Sequence, residues 1–542
     1  MAMSFLWLRA STVDPVAAAR LIYGGTWDGK VGIIGGIPTR STVSQSFTSS
    51  ATASQINTAI DNCAAGESVL LQAGTYSSLA GNIILDKSNV TLRGEVDANG
   101  VPTTIIKNRS IIIGSQSGWD FGASTNWTTT TVTGLTRGVT SATFASVSGL
   151  TVGRLVWLHA SGNSNVTGSN WSDVFGSYPV SQVVKVTNIV STTVTFDKAF
   201  NADYWTGTLR AAWRDAADTI ALSGIENLDL QPTNSSAGYG NNYVEVYGTD
   251  ECWIKNVKTY DLNDGGIHHI TVYGSHRMEI RHCDISRMRT AEGSGDSSNN
   301  YCISLAHSGS FLIEDNHFHN IPNVMPMFDC GAGAFAYNYI IDCTYAGSHT
   351  WLSQIVFAHG SHIHYTLFEG NWCPGSYNEE GTSGSRNLIW LRNRMRGWDP
   401  NSVQGVAKDD DTVALVLADG HSNAVLAGNV VGENTFHTTY QTTDSVAGGG
   451  SDSFPRLSVL HVHTNANSSL SKIGNYNTVN DAVPAGEALG AGEGIVTSYL
   501  HASKPAWFSG LPWPPISPTN YSQSNTATNI PAGYRAANGV DP

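Results

Sequence analysis

One short phrase recurs along the middle of the chain and restricts the folds that the chain can adopt. Each copy joins two apolar runs through a turn that contains asparagine. The copies read FLIEDNHF, AFAYNYII, TLFEGNW, IWLRNRM and AVLAGNVV, and they align Asn316, Asn338, Asn371, Asn393 and Asn429. The intervals between these asparagines are 22, 33, 22 and 36 residues. Such self-similarity indicates repeat architecture, and a unit of 22 residues with loops inserted at its turns predicts a parallel β-helix.

The recurrence of asparagine has a physical reason in such a fold. A coil must turn sharply between strands, and asparagine adopts the left-handed backbone conformation more readily than most residues. Stacked asparagine amides also form hydrogen bonds from one coil to the next. We therefore predict that the five aligned asparagines form a ladder along the axis of the β-helix.

Composition supports an all-β protein and narrows the classes of function. Charged residues make up 13% of the 542 residues, and there are 56 glycines, which is typical of a turn-rich β protein. The net charge of −14 argues against general nucleic-acid binding. No apolar run reaches the roughly 18 residues of a membrane helix, and the opening MAMSFLWLRA is too short for a complete signal peptide. Secretion is therefore expected from fold and composition alone.

The seven cysteines argue against a zinc site. Their number is odd, and no CxxC pair occurs among them. Six lie inside the repeat region, where small apolar side chains stack well inside a coil. We expect buried thiols, and one or two disulfides remain an alternative.

The remaining segments are arranged around the repeats. Residues 1–53 are predicted to be an irregular lead-in, and residues 54–119 an N-terminal cap helix followed by the first coils. Residues 120–215 break the rhythm, and their alternating runs predict an inserted β-rich subdomain, with further coils as the alternative. The main coils occupy residues 216–450. Residues 451–542 hold a last strand and a Pro/Trp-rich segment that is expected to cap the far end, since proline cannot join a central ladder.

The repeat register brings titratable side chains together. Counting back nine residues from three successive ladder positions gives His307, Asp329 and His362. Neighbouring strands lie about 4.8 Å apart, so these side chains can stack on one face. A His–Asp–His cluster can perform general acid–base catalysis or bind a metal. The alternative is that all three are polar turn residues with satisfied hydrogen bonds. The further members predicted for this site are His359, Arg281 and His268.

Arginines near the same coils favour one type of polysaccharide cleavage over another. A lyase that acts on uronic acids must neutralise a carboxylate, for which guanidinium groups or calcium are suited, and must remove a proton. Arg392, Arg394 and Arg396 alternate, so they are expected to share one solvated outer face. A hydrolase would need paired carboxyl groups instead, for which the candidates are Asp264, Asp329, Glu369, Glu379, Glu380 and the run Asp409–Asp411.

Aromatic and polar residues in the inserted loops are candidates for sugar binding. Flat rings stack on amphipathic ligands, although some of these rings would pack on the β-helix flank instead. The predicted substrate-binding residues are Trp351, Tyr345, Trp372, Tyr377, Glu369 and Arg386.

Several phrases are shared with a known family. They are GGIPTR, QVVKVTNI, FLIEDNHFHNI, GAFAYNYIID, TLFEGNW, LRNR, KPAWFSGLPWPP and IPAGYR. Through them, most of the chain resembles bacterial secreted right-handed parallel β-helix proteins of the pectate-lyase-like superfamily. The resemblance implies a right-handed solenoid and action on a polysaccharide. It also implies an acidic residue and a histidine in the loop after the EGN phrase, where Glu379 and Glu380 are present and the histidine is absent.

Together these features predict a secreted enzyme that cleaves a polysaccharide in a groove on the flank of the β-helix. A lyase acting on a uronic-acid polymer is preferred to a glycoside hydrolase, because histidines and arginines outnumber paired carboxylates. A glycan-binding adhesin or fibre-forming β-helix is the alternative, since one fold can host both functions. The expected partner is a polysaccharide, with neither nucleic acid nor membrane. Calcium is the one cofactor that stays open, and monomer and homo-oligomer are both compatible with the sequence.

Overall fold

A computed structural model of the protein describes most of residues 26–542. The segments outside the description are 115–126, 162–171, 174–175, 178–179, 202–206, 232–241, 263–267, 289–300, 322, 346–347, 353–355, 359–361, 379–384, 400–407, 409, 419, 445–457, 468, 490–493 and 519–525. Nearly all regular structure in the described residues is β-strand.

Two large sheets of parallel strands form the walls of a solenoid. The larger sheet has 21 strands, which lie in two rows before and after the asparagine turn. Its strands are Val43–Phe47, Ser68–Leu71, Gly74–Tyr76, Thr91–Gly94, Thr104–Lys107, Gly224–Gln231, Trp253–Leu262, Glu279–Arg281, Asp284–Met288, Leu312–Glu314, His317–His319, Ala334–Ala336, Tyr339–Ile341, Leu367–Glu369, Trp372–Cys373, Ile389–Leu391, Arg394–Met395, Val425–Ala427, Val430–Val431, Ser471–Ile473 and Tyr476–Asn477.

The second sheet has 11 strands, all paired in parallel. They are Ile83–Leu85, Ile111–Gly114, Val244–Tyr247, His268–Tyr273, Tyr301–Ala306, Met325–Phe328, Val356–Ala358, Ser376–Asn378, Leu415–Leu417, Thr439–Asp444 and Ser458–His463. The predicted parallel β-helix is therefore confirmed. A right-handed course is the one that parallel crossovers almost always take.

The core lies between the two sheets and is built by residue-to-residue stacking of successive coils. One inward column of the 21-stranded sheet consists of Ile313, Phe335, Phe368, Trp390 and Leu426, which pair in register. Each is at most 3% exposed. Full burial of such a side chain contributes roughly 1.5–3 kcal/mol, so the column stabilises every coil that it crosses.

The asparagine ladder runs along one edge of this core. Each side-chain Nδ2 donates to Oδ1 of the next ladder residue at 2.9–3.1 Å and to a backbone carbonyl of an earlier coil. The ladder continues one coil beyond the prediction, because Asn429 donates to Asn475 at 2.9 Å. The expected left-handed conformation belongs to the preceding residue instead, as at Asp315 and Tyr337 with φ values of 56° and 55°. Asparagine is thus placed here for its amide, and the prediction about its backbone was wrong.

Helix Ala53–Asn62 covers the N-terminal end of the solenoid, where the sequence predicts a cap helix. Thr52 and Gln55 form a reciprocal capping box, which satisfies two backbone donors at the start of the helix. Ile56 and Ile60 are fully buried against the first coils.

A closed antiparallel barrel of six strands interrupts the β-helix after its first coils. The strands are Thr128–Thr133, Ser141–Phe144, Leu155–Ser161, Val180–Val190, Thr193–Phe196 and Thr208–Trp213. The barrel has a core of its own, in which Phe144 lies 6.1 Å from both Phe196 and Trp213. It lies within the segment that broke the repeat pattern.

Short elements complete the described chain. The helices are Thr464–Asn467 and Pro531–Asn538, with 3-10 turns at Ala216–Asp218, Ala485–Glu487, Ala506–Phe508 and Ala527–Asn529. The remaining strand pairs are Ser172–Asp173 with Gly176–Ser177, Ile220–Ala221 with Thr249–Asp250, and Thr344–Tyr345 with Ser348–Leu352.

The Pro/Trp-rich segment does not wrap the far end as expected. Its residues 495–516 run along the outer face of the 21-stranded sheet, where Tyr499, Phe508 and Ile516 join an apolar cluster with Leu312 and Leu367. The turn at 485–487 is the part that meets the last coil, through a hydrogen bond at the end of the asparagine ladder. A prolyl segment cannot pair in a ladder, but it can cover a flank by packing alone.

All seven cysteines are buried free thiols. This agrees with the expectation of buried thiols, and no disulfide joins any of the seven.

Candidate functional site

His307, Asp329 and His362 lie side by side, as the repeat register predicts. Nδ1 of His307 is 3.3 Å from Oδ2 of Asp329, and Nδ1 of His362 is 3.4 Å from Oδ1 of the same carboxylate. All three residues have positive φ values, between 47° and 61°. They therefore form one column of left-handed turn residues, at the point where each coil leaves the 11-stranded sheet. We refer to these three residues as the His–Asp–His cluster.

The inserted barrel covers this cluster. The backbone N–H of Ser181 donates to Oδ1 of Asp329 at 3.2 Å, and the Ser181 hydroxyl donates to Oδ2. The indole N–H of Trp157 donates to the Ser181 oxygen at 2.8 Å. The Trp157 ring also meets the His307 ring edge-on, with 5.2 Å between centroids. The cluster is thus part of a junction between two structural units, rather than the floor of an open groove.

The members of the cluster differ in their access to solvent. The Asp329 and His362 side chains are 7% and 1% exposed, whereas the His307 side chain is 14% exposed. Burial would raise the pKa of Asp329, but hydrogen bonds and charge from the two histidines hold it well below its usual value. Asp329 is therefore ionised, and a donor Nδ1–H on His307 leaves Nε2 of that ring for acid–base chemistry. Nδ1 of His362 lies between the Asp329 carboxylate and the Ser181 backbone N–H, which is 3.4 Å away.

Two further histidines surround the cluster and are held neutral. His159 of the barrel is fully buried, and burial lowers its pKa to about 3. Burial also holds the pKa of His364 well below its usual value, with the charge of His362 as the next cause. The His364 ring lies 4.4 Å from that of His362 and contacts the Asn201 amide of the barrel. His307 is consequently the ring with the strongest combination of an ionised partner and exposure.

The structure does not bring Arg281 to the cluster. Arg281 lies on the outer face of the 21-stranded sheet, with Nη2 2.6 Å from Glu314 and Nε 3.0 Å from Glu279. Burial would lower the pKa of Arg281, but these two carboxylates raise it. It serves as the counter-ion of buried carboxylates beneath the C-terminal segment.

Glu369 belongs to the same covered face and not to a sugar-binding loop. Its fully buried carboxylate accepts hydrogen bonds from the hydroxyls of Tyr337 and Ser498 and from the backbone N–H of Tyr499 at 2.9 Å. Burial raises its pKa. The C-terminal segment therefore occupies this carboxylate, which removes Glu369 from the residues that can contact a substrate here.

His268 is also distant from the cluster. It begins strand His268–Tyr273 and pairs with Tyr301, on which its ring stacks at 5.4 Å. His307 follows the opposite end of the neighbouring strand. Six residues at about 3.3 Å each separate these two ends, so the structure does not join His268 to His307.

The other predicted binding residues are dispersed. Trp372 is half-buried on the second strand row, with the Arg394 guanidinium 5.8 Å from its ring centroid. Arg386 pairs with His364 in the next coil, which places it one coil from the cluster. His359, Glu379 and Glu380 lie outside the described residues, as do the side chains of Tyr345, Trp351 and Tyr377.

The three alternating arginines do not form a solvated face. The Asn393 turn separates Arg392 from the other two, and the Arg392 guanidinium donates to backbone carbonyls of residues 495–496 at 2.8–2.9 Å. Arg394 and Arg396 both reach the Glu433 carboxylate at 3.1 Å. The expectation was wrong because a turn intervenes in what reads as one strand.

Sequence reasoning missed Ser181 and Trp157. The segment RLVWLHA carries Trp157 and His159 at alternate positions, so the pattern shows that they share a face. No periodicity relates this segment to coils that follow about 150 residues later, and the contact could not be anticipated.

Two features are absent from the described residues. Within them, no group of three or more His, Cys, Asp or Glu side chains is arranged to hold a metal ion. Among the helices of the described part, none is long and apolar enough to cross a membrane.

Comparison with known proteins gives distant structural neighbours. No protein-family model and no curated protein matches the chain. The Pseudomonas phage phi297 tailspike gp61 is 11% identical, with a TM-score of 0.45 over 78% of this chain and 62% of the tailspike. This chain thus spans less than two thirds of that protein.

Two further neighbours are similarly remote. The tailspike Gp54 of Acinetobacter baumannii bacteriophage AP22, in complex with A. baumannii capsular saccharide, is 11% identical at a TM-score of 0.41, over 80% of this chain and 67% of that one. An alginate lyase from Paenibacillus sp. str. FPU-7 is 9% identical, with a TM-score of 0.34 over 79% of this chain and 99% of the lyase. Similarity this low carries no function across. The strand pairing of its own coils, from Ser68 to Asn477, makes this chain a parallel β-helix protein.

Proposed function

We propose that this protein is a secreted polysaccharide-cleaving enzyme in which His307 is the acid–base group and Asp329 orients it. The observation that supports the proposal is the Asp329 carboxylate between two Nδ1 atoms, next to one imidazole that retains partial exposure. A carboxylate on Nδ1 fixes the tautomer and raises the basicity of Nε2. Such a pair is suited to proton transfer near neutral pH.

A lyase is favoured over a hydrolase by the charge state of Asp329. Its depressed pKa keeps this carboxylate ionised, so it cannot donate a proton to a leaving oxygen as a hydrolase acid must. In β-elimination on a uronic acid, Nε2 of His307 would take the C5 proton. The C5–H electron pair then forms the C4–C5 double bond, and the C4–O bond breaks.

This reaction also needs a positive charge beside the substrate carboxylate and a proton for the leaving oxygen. Arg386 is paired with His364 in the coil next to that of His362, so it lies one coil from the cluster. Its guanidinium can take a carboxylate in a bidentate manner. Protonated His307 would return its proton to the leaving oxygen, which closes the proton balance.

The test is incubation of the purified protein with a panel of acidic and neutral polysaccharides, with and without calcium. Ultraviolet absorbance of an unsaturated product and reducing ends are followed together. We expect both signals on a uronic-acid polymer, because β-elimination yields one of each. Reducing ends without absorbance would mean hydrolysis instead. Binding without either product would support the glycan-binding alternative, which the extensive cover over the cluster favours.

Single substitutions identify the residue that carries the reaction. His307→Gln should lower kcat by about 10²–10⁴-fold, and the His307/His362 double variant should abolish cleavage in a folded protein. His319→Gln is the matched control, since His319 also pairs with a carboxylate, Asp342 at 2.7 Å, on another face and with a 42% exposed side chain. Unchanged turnover of His307→Gln would rule out this assignment.

A further inference from the structure

The barrel supplies hydrogen-bond donors that the β-helix does not provide to Asp329. Strand Val180–Val190 starts at the cluster, and its second residue, Ser181, gives both its backbone N–H and its hydroxyl to the carboxylate. Ser181 and Trp157 are 1% and 2% exposed. Their contacts are therefore shielded from water, where hydrogen bonds to a charged group are strong.

The direction of these hydrogen bonds follows from the chemistry of the groups. An indole N–H is a donor only, so the Ser181 oxygen accepts from Trp157. A serine hydroxyl has a single proton, and this proton is then directed to Asp329. Trp157 thus determines the rotamer and the donor direction of the serine.

Asp329 is saturated by this arrangement. A carboxylate has about four acceptor positions, and four groups face that of Asp329: the N–H and the hydroxyl of Ser181, which both donate, and the Nδ1 atoms of His307 and His362 at 3.3–3.4 Å. Two of the four come from the barrel. A carboxylate held from two sides can rotate less, and the His307 ring that it holds is fixed in turn.

We propose that Ser181 and Trp157 are positioning residues, through which the inserted barrel completes the acid–base site of the β-helix. This inference rests on the proposed role of His307. It assigns the barrel a part in catalysis, although neither residue contacts the reacting atoms.

Other contacts hold the barrel in place independently of Ser181. Nζ of Lys185 lies 2.6 Å from Asp250, and Nε2 of His276 lies 3.0 Å from Asp197. Nζ of Lys198 donates to the Ser310 hydroxyl at 2.8 Å. Loss of the Ser181 hydroxyl is therefore a local change that leaves the junction assembled.

The first experiment follows the imidazole signals of the intact protein by nuclear magnetic resonance across pH. His307→Gln assigns the His307 signal. In Ser181→Ala, Asp329 loses a donor and becomes a stronger base, so the imidazole signal of His307 should titrate at a higher pH than it does in wild type. Ser181→Thr keeps the hydroxyl and should restore the original titration. An unchanged His307 titration in Ser181→Ala would overturn the proposal, whatever substrate the protein acts on.

The second experiment measures kinetics once a substrate is found. Ser181→Ala should lower kcat by about 10–100-fold with little change in KM, and the acidic limb of its pH profile should move to higher pH. Trp157→Phe keeps an aromatic ring but removes the N–H that donates to Ser181, and should lower kcat a few-fold. The control Ser223→Ala also removes a buried hydroxyl, one that donates to the Lys87 carbonyl far from the cluster, and should retain kcat. Equal kcat in Ser181→Ala and wild type would refute the positioning role, whereas absence of any substrate would refute only the proposed function.

Discussion

Two flanks of the β-helix are covered by segments from elsewhere in the chain, and they are covered by different means. On the C-terminal flank, residues 495–516 pack through an apolar cluster that includes Tyr499, Phe508 and Ile516. On the barrel flank, polar side chains such as Ser181 and Lys185 meet carboxylates of the coils. An apolar cover excludes water over a broad area. A polar junction aligns individual groups, which is what a catalytic site requires.

A histidine–carboxylate pair occurs on each flank, and the comparison shows why only one is a good candidate for catalysis. On the C-terminal flank, Nε2 of His501 is 2.5 Å from Glu314, and Arg281 binds the same carboxylate. That pair is a structural ion network. On the barrel flank, Asp329 holds the Nδ1 atoms, so Nε2 of His307 is directed elsewhere. The two pairs therefore differ in the ring nitrogen that contacts the carboxylate, which is Nε2 in His501 and Nδ1 in His307.

The largest effect is expected on the C-terminal flank, from Arg281→Ala. This change removes one guanidinium from two buried carboxylates at once, Glu279 and Glu314, of which Glu314 keeps His501 as a partner. We expect it to cost about 3–5 kcal/mol of unfolding free energy. Lys185→Ala is the matching change on the barrel flank and should cost only about 1–2 kcal/mol, because Asp250 keeps His276 as a partner at 2.8 Å. Chemical denaturation measures both. Equal losses would show that the two flanks are not built differently.

The next largest effect concerns the buried carboxylate of Glu369 on the C-terminal flank. Tyr337→Phe removes a hydroxyl that donates to the Glu369 carboxylate, and a buried acceptor left with fewer donors costs about 2 kcal/mol. Tyr260→Phe is the control, since its hydroxyl meets Arg287 on a residue that is 44% exposed. We expect a change within about 0.5 kcal/mol there. A similar loss in both variants, measured by thermal unfolding, would contradict the assignment.

Much of this architecture could be predicted from the sequence, because the repeat fixes a register. The ladder and the nine-residue offset are enough to place Asp329 between two histidines. Asn475 was missed because 46 residues separate it from Asn429, and the phrase KIGNYN is short. The segment that covers each outer face could not be predicted. Outward-facing positions have the same sequence pattern whether they face solvent or a distant segment of the chain. Glu369 contacts Tyr499, which lies 130 residues later in the chain, and Asp329 contacts Ser181, which lies 148 residues earlier.

The barrel flank should weaken in acid. Burial would raise the pKa of Asp197 and Asp250, but His276 between them lowers both below the usual value of 3.8. A lowered folded pKa gives stability that is present above about pH 4 and lost as pH falls through the folded value. Hydrogen exchange at the barrel junction should therefore rise as pH is lowered. His276→Gln should cost about 1.5 kcal/mol near neutral pH and remove most of this acid response. An equal rise in hydrogen exchange across the barrel and the β-helix would count against a polar junction between them.

The smallest effect is expected on the C-terminal flank, from His501, whose pKa is shifted in the opposite direction. Burial would lower the pKa of His501, but the charge and hydrogen bond of Glu314 raise it above the usual value of 6.5. The contribution of His501 is then complete below pH 6.5, where the unfolded chain is also protonated, and is lost as pH rises through the folded value.

The pH dependence of one substitution tests this contribution of His501. His501→Gln should lower the unfolding free energy by about 1 kcal/mol below about pH 6.5, and the difference from wild type should shrink on the alkaline side. His319→Gln removes a histidine–carboxylate pair with a 42% exposed side chain, and should show a smaller difference at every pH. A pH-independent difference for His501→Gln would mean that its ring packs without charge. The His501 ring would then resemble His159 and His364 of the barrel flank, which burial holds neutral, and the contrast between ion network and acid–base site would have to rest on exposure alone.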